Sequence, residues 1–182
     1  MNETNQPLNS GTFPDVQTAV RDRLASFSEF GGIAMILQYE GSIDTKIDNA
    51  LATMTDGCRA GVALLIATPA AEETGPNLPT VRLDPFMVTV TVVEDVNMNA
   101  PPEGSGRRAL EWAVLALRAL KGWKPPECGT PLKGVGNALS LGPSKGSRVV
   151  WNLTLKTRVD LEPLRIPGEY GYTDTVPEPA RA

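Results

Sequence analysis

Histidine is absent from all 182 residues, which removes the usual general base at neutral pH, the Ser-His-Asp and Cys-His nucleophile pairs, and the commonest zinc ligand. Cysteine is scarce. Cys58 and Cys128 stand alone in Gly57-Cys58-Arg59 and Glu127-Cys128-Gly129, so no CxxC pair offers thiolates to a metal. Two separate thiols without an export signal are expected to be free and reduced, with Cys58 a buried structural thiol at a strand start. Long apolar runs are missing too. The longest, Gly61 to Ala71, is broken by Thr68 and Pro69, short of the about 18 residues that cross a bilayer. The opening Met1-Asn2-Glu3-Thr4-Asn5-Gln6 has neither the positive head nor the apolar stretch of a signal peptide, so synthesis in a cytoplasm is expected.

No sign of charge dominates. Seventeen basic residues face 21 acidic ones, and the basic ones are spread out as Arg21/Arg23, Arg107/Arg108, Lys121/Lys124 and Lys145/Arg148, without the dense stripe of a nucleic-acid binder. With 41% apolar and 21% charged residues, the composition is that of a globular protein with a mildly negative surface. The length suits one domain with extended ends.

What is present is alternation. Phe86, Val88, Val90 and Val92 fall on one side of the segment Phe86 to Val93, with Met87, Thr89, Thr91 and Val93 on the other, as in a half-buried strand. From Arg148 to Val159 the pattern is cleaner: Val149, Trp151, Leu153, Leu155, Thr157 and Val159 share one face. Between them lie a loop, Asn97 to Gly106, with two prolines and two glycines, and an amphipathic helix from Arg107 to Gly122 with Leu110, Ala113, Val114, Leu117 and Leu120 on its apolar side. The loop is expected to project.

Upstream, residues 1 to 13 form a polar arm, and the domain starts at Pro14 with a helix whose buried side carries Val16, Ala19 or Val20, Leu24 and Phe27. Gly31-Gly32 ends it. Ile33 to Tyr39 reads as a strand, Ser42 to Met54 as a polar helix-like crossing, and Cys58 to Ala70 as a central strand covered on both faces. The stretch Glu72 to Asp84 reads as a loop, after which the strand from Phe86 pairs with the central strand as an antiparallel hairpin. Trp123 to Gly146 reads as a long irregular connection with one short strand around Asn137 to Leu141. The 162–182 tail carries four prolines together with Tyr170 and Tyr172. The expected architecture is α+β: a mostly antiparallel sheet of four to five strands with two to three helices on one face, spanning 14–161.

Few residues invite chemistry. Glu72/Glu73, Glu94/Asp95 and Asp44/Asp48 are adjacent or helically spaced carboxylates, and they read as a turn, a strand end and a solvated helix face. Gly134-Val135-Gly136 has a trace of a dinucleotide-binding motif, but no strand leads into it and no acidic residue follows at the ribose distance; it reads as loop flexibility. Arg107-Arg108 at a helix start opposes the helix dipole. That pair implies an acidic partner nearby. No catalytic, cofactor or metal site is expected.

The element order of helix, strand, helix-like crossing, long strand, strand, loop, long helix and final strand resembles the tail terminator and tail-completion proteins of tailed bacteriophages. The likeness rests on Val20-Arg21-Asp22-Arg23-Leu24 in the opening helix, Phe86 to Val93, Ala109 to Leu117, and the closing Trp151-Asn152-Leu153-Thr154-Leu155. The resemblance implies a structural virion protein, not an enzyme, acting as a homo-oligomeric ring, a hexamer, at the head-proximal end of a tail tube. Its partners would be further copies, the tail tube protein and a neck or connector protein, with DNA passing an acidic lumen without specific binding. Contacts would come from Asn97, Met98, Asn99, Pro101, Pro102, Glu103, Arg107 and Arg108 and, in the draping C-terminal tail, Tyr170 and Tyr172. The alternatives are another tail or neck component, such as a sheath-end, connector or baseplate protein, and, further off, a small cytoplasmic enzyme or ligand-binding protein.

Overall fold

The alternating segments become the middle of one sheet. The computed structural model describes residues 12–30, 33–36, 61–74, 81–101, 106–126 and 128–161. In chain order these contain α1 (Thr12–Ala25), a single 3-10 turn (Ser28–Phe30), β1 (Ala34–Ile36), β2 (Val62–Ala67), β3 (Ala71–Glu73), β4 (Val81–Asp95), α2 (Ala109–Leu120), β5 (Lys133–Leu141) and β6 (Arg148–Leu161). The sheet runs β1-β2-β4-β6-β5, with β3 also paired to β4. All pairs are antiparallel except β1 with β2. The fold is α+β.

Register explains the core. Leu64 lies opposite Val92 and Ile66 opposite Val90, while Val88 faces Leu155 and Val90 faces Leu153. Together with Phe86 they line the face beneath the helices, all of them fully buried. Each such side chain stabilises the fold by about 1.5–3 kcal/mol. α1 contributes Val16, Val20 and Leu24, and α2 contributes Ala109, Trp112, Ala113, Ala116 and Leu120. β2 is buried at every position, as expected of a strand covered on both faces. The hairpin expected between β2 and β4 forms.

Several expectations are corrected. α1 begins at Thr12 rather than Pro14. The expected Glu72–Asp84 loop holds β3 and the start of β4, and β4 is longer than its alternating part because a register irregularity between Leu83 and Phe86 accommodates Pro85. The 123–146 connection holds the nine-residue strand β5 rather than a short one, built on backbone bonds to β6 and interrupted by an irregularity between Gly134 and Leu139. Gly134 and Gly136 therefore lie in a strand, not a flexible loop. α2 is rolled relative to the expected face: Trp112 and Ala116 point inward, while Leu110 and Val114 are exposed at 41% and 38%. Gly122, with φ of +83°, ends α2 in the left-handed conformation that favours glycine.

The expected helix at Ser42–Met54, Asp44 and Asp48, Cys58, the 1–11 and 162–182 ends, Pro102, Glu103, Tyr170 and Tyr172 lie outside the described residues. Among the described residues no helix is long and apolar enough to cross a membrane.

Candidate functional site

From Phe86 onward the even-numbered residues of β4 face the helices, so alternation carries Glu94 onto the buried side directly after Val92. It is 1% exposed. A carboxylate there needs partners, and three donors supply them. Arg108 Nη1 and Asn99 Nδ2 each donate to Oε1 at 3.0 Å, and the Ala109 N–H donates to Oε2 at 2.7 Å. Ala109 opens α2, so the carboxylate also sits against the positive end of the helix dipole. Glu111 accepts the Arg108 N–H at 3.1 Å and complements the same end.

The next residue organises the turn. Asp95 accepts the N–H groups of Asn97 (3.0 Å) and Met98 (3.3 Å) and the Ser147 hydroxyl (2.9 Å), the local bonding that lets Asp start turns. The turn lies on Gly61, whose φ is +90°; a Cβ there would sit 2.6 Å from the Asn99 nitrogen. From the far side, Asn99 Nδ2 bonds the Arg107 carbonyl at 2.8 Å and the Gly106 N–H bonds the Asn99 carbonyl at 3.1 Å.

This corrects the reading of the loop. Its beginning does not project: Asn99 is 1% exposed and Met98 half-buried, so Asn99 is a clamp and not a contact for a partner. Asn97 and Pro101 are exposed. The acidic partner implied by Arg107-Arg108 is Glu94 of the same chain, although the Arg108 side chain stays 62% exposed. The Arg107 guanidinium lies 4.9 Å above the Trp112 ring. Accepting from all three donors, Glu94 orients β4, the turn and α2 with respect to one another.

Among the described residues no other carboxylate pair converges on a site. Glu72 and Glu73 are exposed on β3, and among the described residues no three His, Cys, Asp or Glu side chains gather as a metal site would require. A cleft of about 490 Å³ lies between α1 and the Trp123–Pro126 segment, lined mainly by apolar atoms of Val16, Ala19, Trp123 and the two prolines, with Asp22 and Arg23 at its rim. Arg23 stacks over Phe27 and Trp123 at 4.9 and 5.7 Å. Cys128 is buried.

The sheet edges differ in charge. Lys133 to Arg158 carries Lys133, Lys145, Arg148, Lys156 and Arg158 and no acidic residue. β3, paired to the other side of β4, presents Glu72 and Glu73. At the end of β6, Asp160 is held between Arg82 and Arg158 at 2.9 and 3.0 Å. The Arg82 hydrogen bond leads, and the two guanidinium charges add to it, in keeping the Asp160 carboxyl below its ordinary range, against partial desolvation.

Sequence reasoning missed Glu94 as a hub, yet the signal was there: continuing the Phe86, Val88, Val90, Val92 alternation lands a carboxylate on the buried face. Compared with known proteins, the chain matches no family model and no curated sequence.

Proposed function

We propose that the protein is a structural subunit of a phage tail, forming a ring of identical copies at the head-proximal end of the tail tube. There it ends polymerisation and offers its other surface to the neck. The observation carrying this reading is the order α1, β1, β2, β4, α2, β6 around one mostly antiparallel sheet, with both described helices packed on one core, which follows the described part of the order in the resemblance apart from the added strands β3 and β5. The principal buried polar cluster supports a contact role: the donors around Glu94 are spent on holding backbone elements together. Function in this reading is geometric, and DNA passes the ring without specific binding.

The test is to add the purified chain to polymerising tail tube protein and image the products by electron microscopy. Rings capping one tube end, with tube length falling as chain is added, support the reading. A chain that stays monomeric and leaves tube length unchanged overturns it, and rings found elsewhere on the particle assign the chain to another tail or neck position.

A further inference from the structure

We propose that the β5 edge of one copy docks against the β3 edge of a second copy, so that Lys133, with Lys156 one strand behind it, meets the neighbour's Glu72. This deepens the ring reading and rests on it.

β5 and β3 lie on opposite sides of the β4–β6 pair. Lys133 faces Lys156 across the sheet, Lys156 faces Met87, and the adjoining Phe86 faces Ala71. Basic groups on β5 and β6 and acidic groups on β3 thus occupy neighbouring levels of the sheet, on opposite sides of β4. Ala71 packs toward the core, so Glu72 turns to the opposite face, the face that carries Lys133 and Lys156. All three charged side chains are exposed, and none makes an ion pair with another described residue.

Strand direction agrees. β5 runs parallel to β4 and β3 runs antiparallel to it, so a copy rotated about an axis along the strands brings its β3 antiparallel to β5. The contact joins different surfaces on the two copies, which is the kind that closes into a ring when the rotation permits.

Apolar surface accompanies the charge. Leu141, near the far end of β5, is 64% exposed. Leu110 and Val114 lie on the flank of α2 turned away from α1, because Ala119, on the opposite flank, accepts the Arg23 bond from α1. α1 packs over β1 and β2, so the Leu110 flank overhangs the β5 side. Charge pairing at such a margin selects partner and register more than it adds affinity, and the apolar side chains supply the burial.

The test uses two charge-reversed versions of the full chain, one with Lys133→Glu and Lys156→Glu, the other with Glu72→Lys. Assembly is measured by sedimentation and folding by circular dichroism. Each version alone is expected to keep its melting curve and lose assembly by at least about tenfold in midpoint concentration. Mixed one to one, they should assemble as alternating copies, since each new acidic edge meets a new basic one. Versions that assemble like the unaltered chain, or a mixture that stays dispersed, overturn the contact. An unaltered chain that self-assembles through these edges yet leaves tail tubes uncapped overturns the ring-terminator reading while the contact stands; an unaltered chain that stays monomeric overturns both.

Discussion

β6 has unlike neighbours on its two sides. Toward β4, the register holds from Phe86 to Asp95 without interruption, and the shared face is closed by Leu153 and Leu155, both fully buried. Toward β5, the pairing breaks between Gly134 and Leu139, and most of β5 is exposed or half-buried. The first interface is held by side chains excluded from water. The second is held largely by backbone hydrogen bonds, which contribute little net stability per bond in a solvated strand. A strand that stabilises its own domain so little is free to carry residues selected for a neighbour.

That contrast can be broken or sharpened by mutation. Leu153→Ala should cost about 3 kcal/mol in chemical denaturation; a loss under about 1 kcal/mol would mean that the β4–β6 side is not where the core is closed. Glu94→Ala removes the shared acceptor of Asn99, Arg108 and Ala109 and should cost about 2 kcal/mol, with α2 amides at its start exchanging faster with deuterium. Unchanged exchange there would remove the carboxylate from its anchoring role. Leu141→Ser, on the outer strand, should shift stability by less than about 0.5 kcal/mol while weakening self-association. A large loss of stability would show that β5 belongs to the core after all. The smallest effect is at the end of β6. The Asp160 carboxyl is held below its ordinary value, so its contribution is present above the unfolded-state pKa and disappears as pH falls through the lowered folded value. Thermal melts of Asp160→Asn should therefore lie slightly below those of the unaltered chain near neutrality and merge with them in strong acid; a gap that widens with acid contradicts the assignment.

Legibility in the sequence follows the same division. The face of β4 could be read from Phe86, Val88, Val90 and Val92 because a strand alternates with period two and only one phase buries them. α2 could not be oriented the same way. Its apolar residues surround most of the axis, so Leu110 and Val114 competed with Trp112 and Ala116 for the inward side, and the choice was made by the tertiary tie between Ala109 and Glu94. β5 was hidden by Gly134 and Gly136, residues of low strand propensity that pairing with β6 overrides. β3 was hidden by Glu72 and Glu73, which have no place on a buried strand but suit an exposed margin. Of the contact residues proposed from the loop, Asn97 and Pro101 are on the surface, whereas the side chain of Asn99 is spent inside.

The clamp at Asn99 has a consequence for engineering. Its carbonyl receives the Gly106 N–H, its amide holds the Arg107 carbonyl, and its backbone rests on Gly61, so Asn99 and the Gly106–Arg107 pair are tied to one another. Stretching a loop between fixed ends costs only the logarithm of its length. An epitope or fluorophore-binding peptide placed after Pro101, between those ties, is thus expected to leave the frame on either side undisturbed and to make the protein itself directly visible.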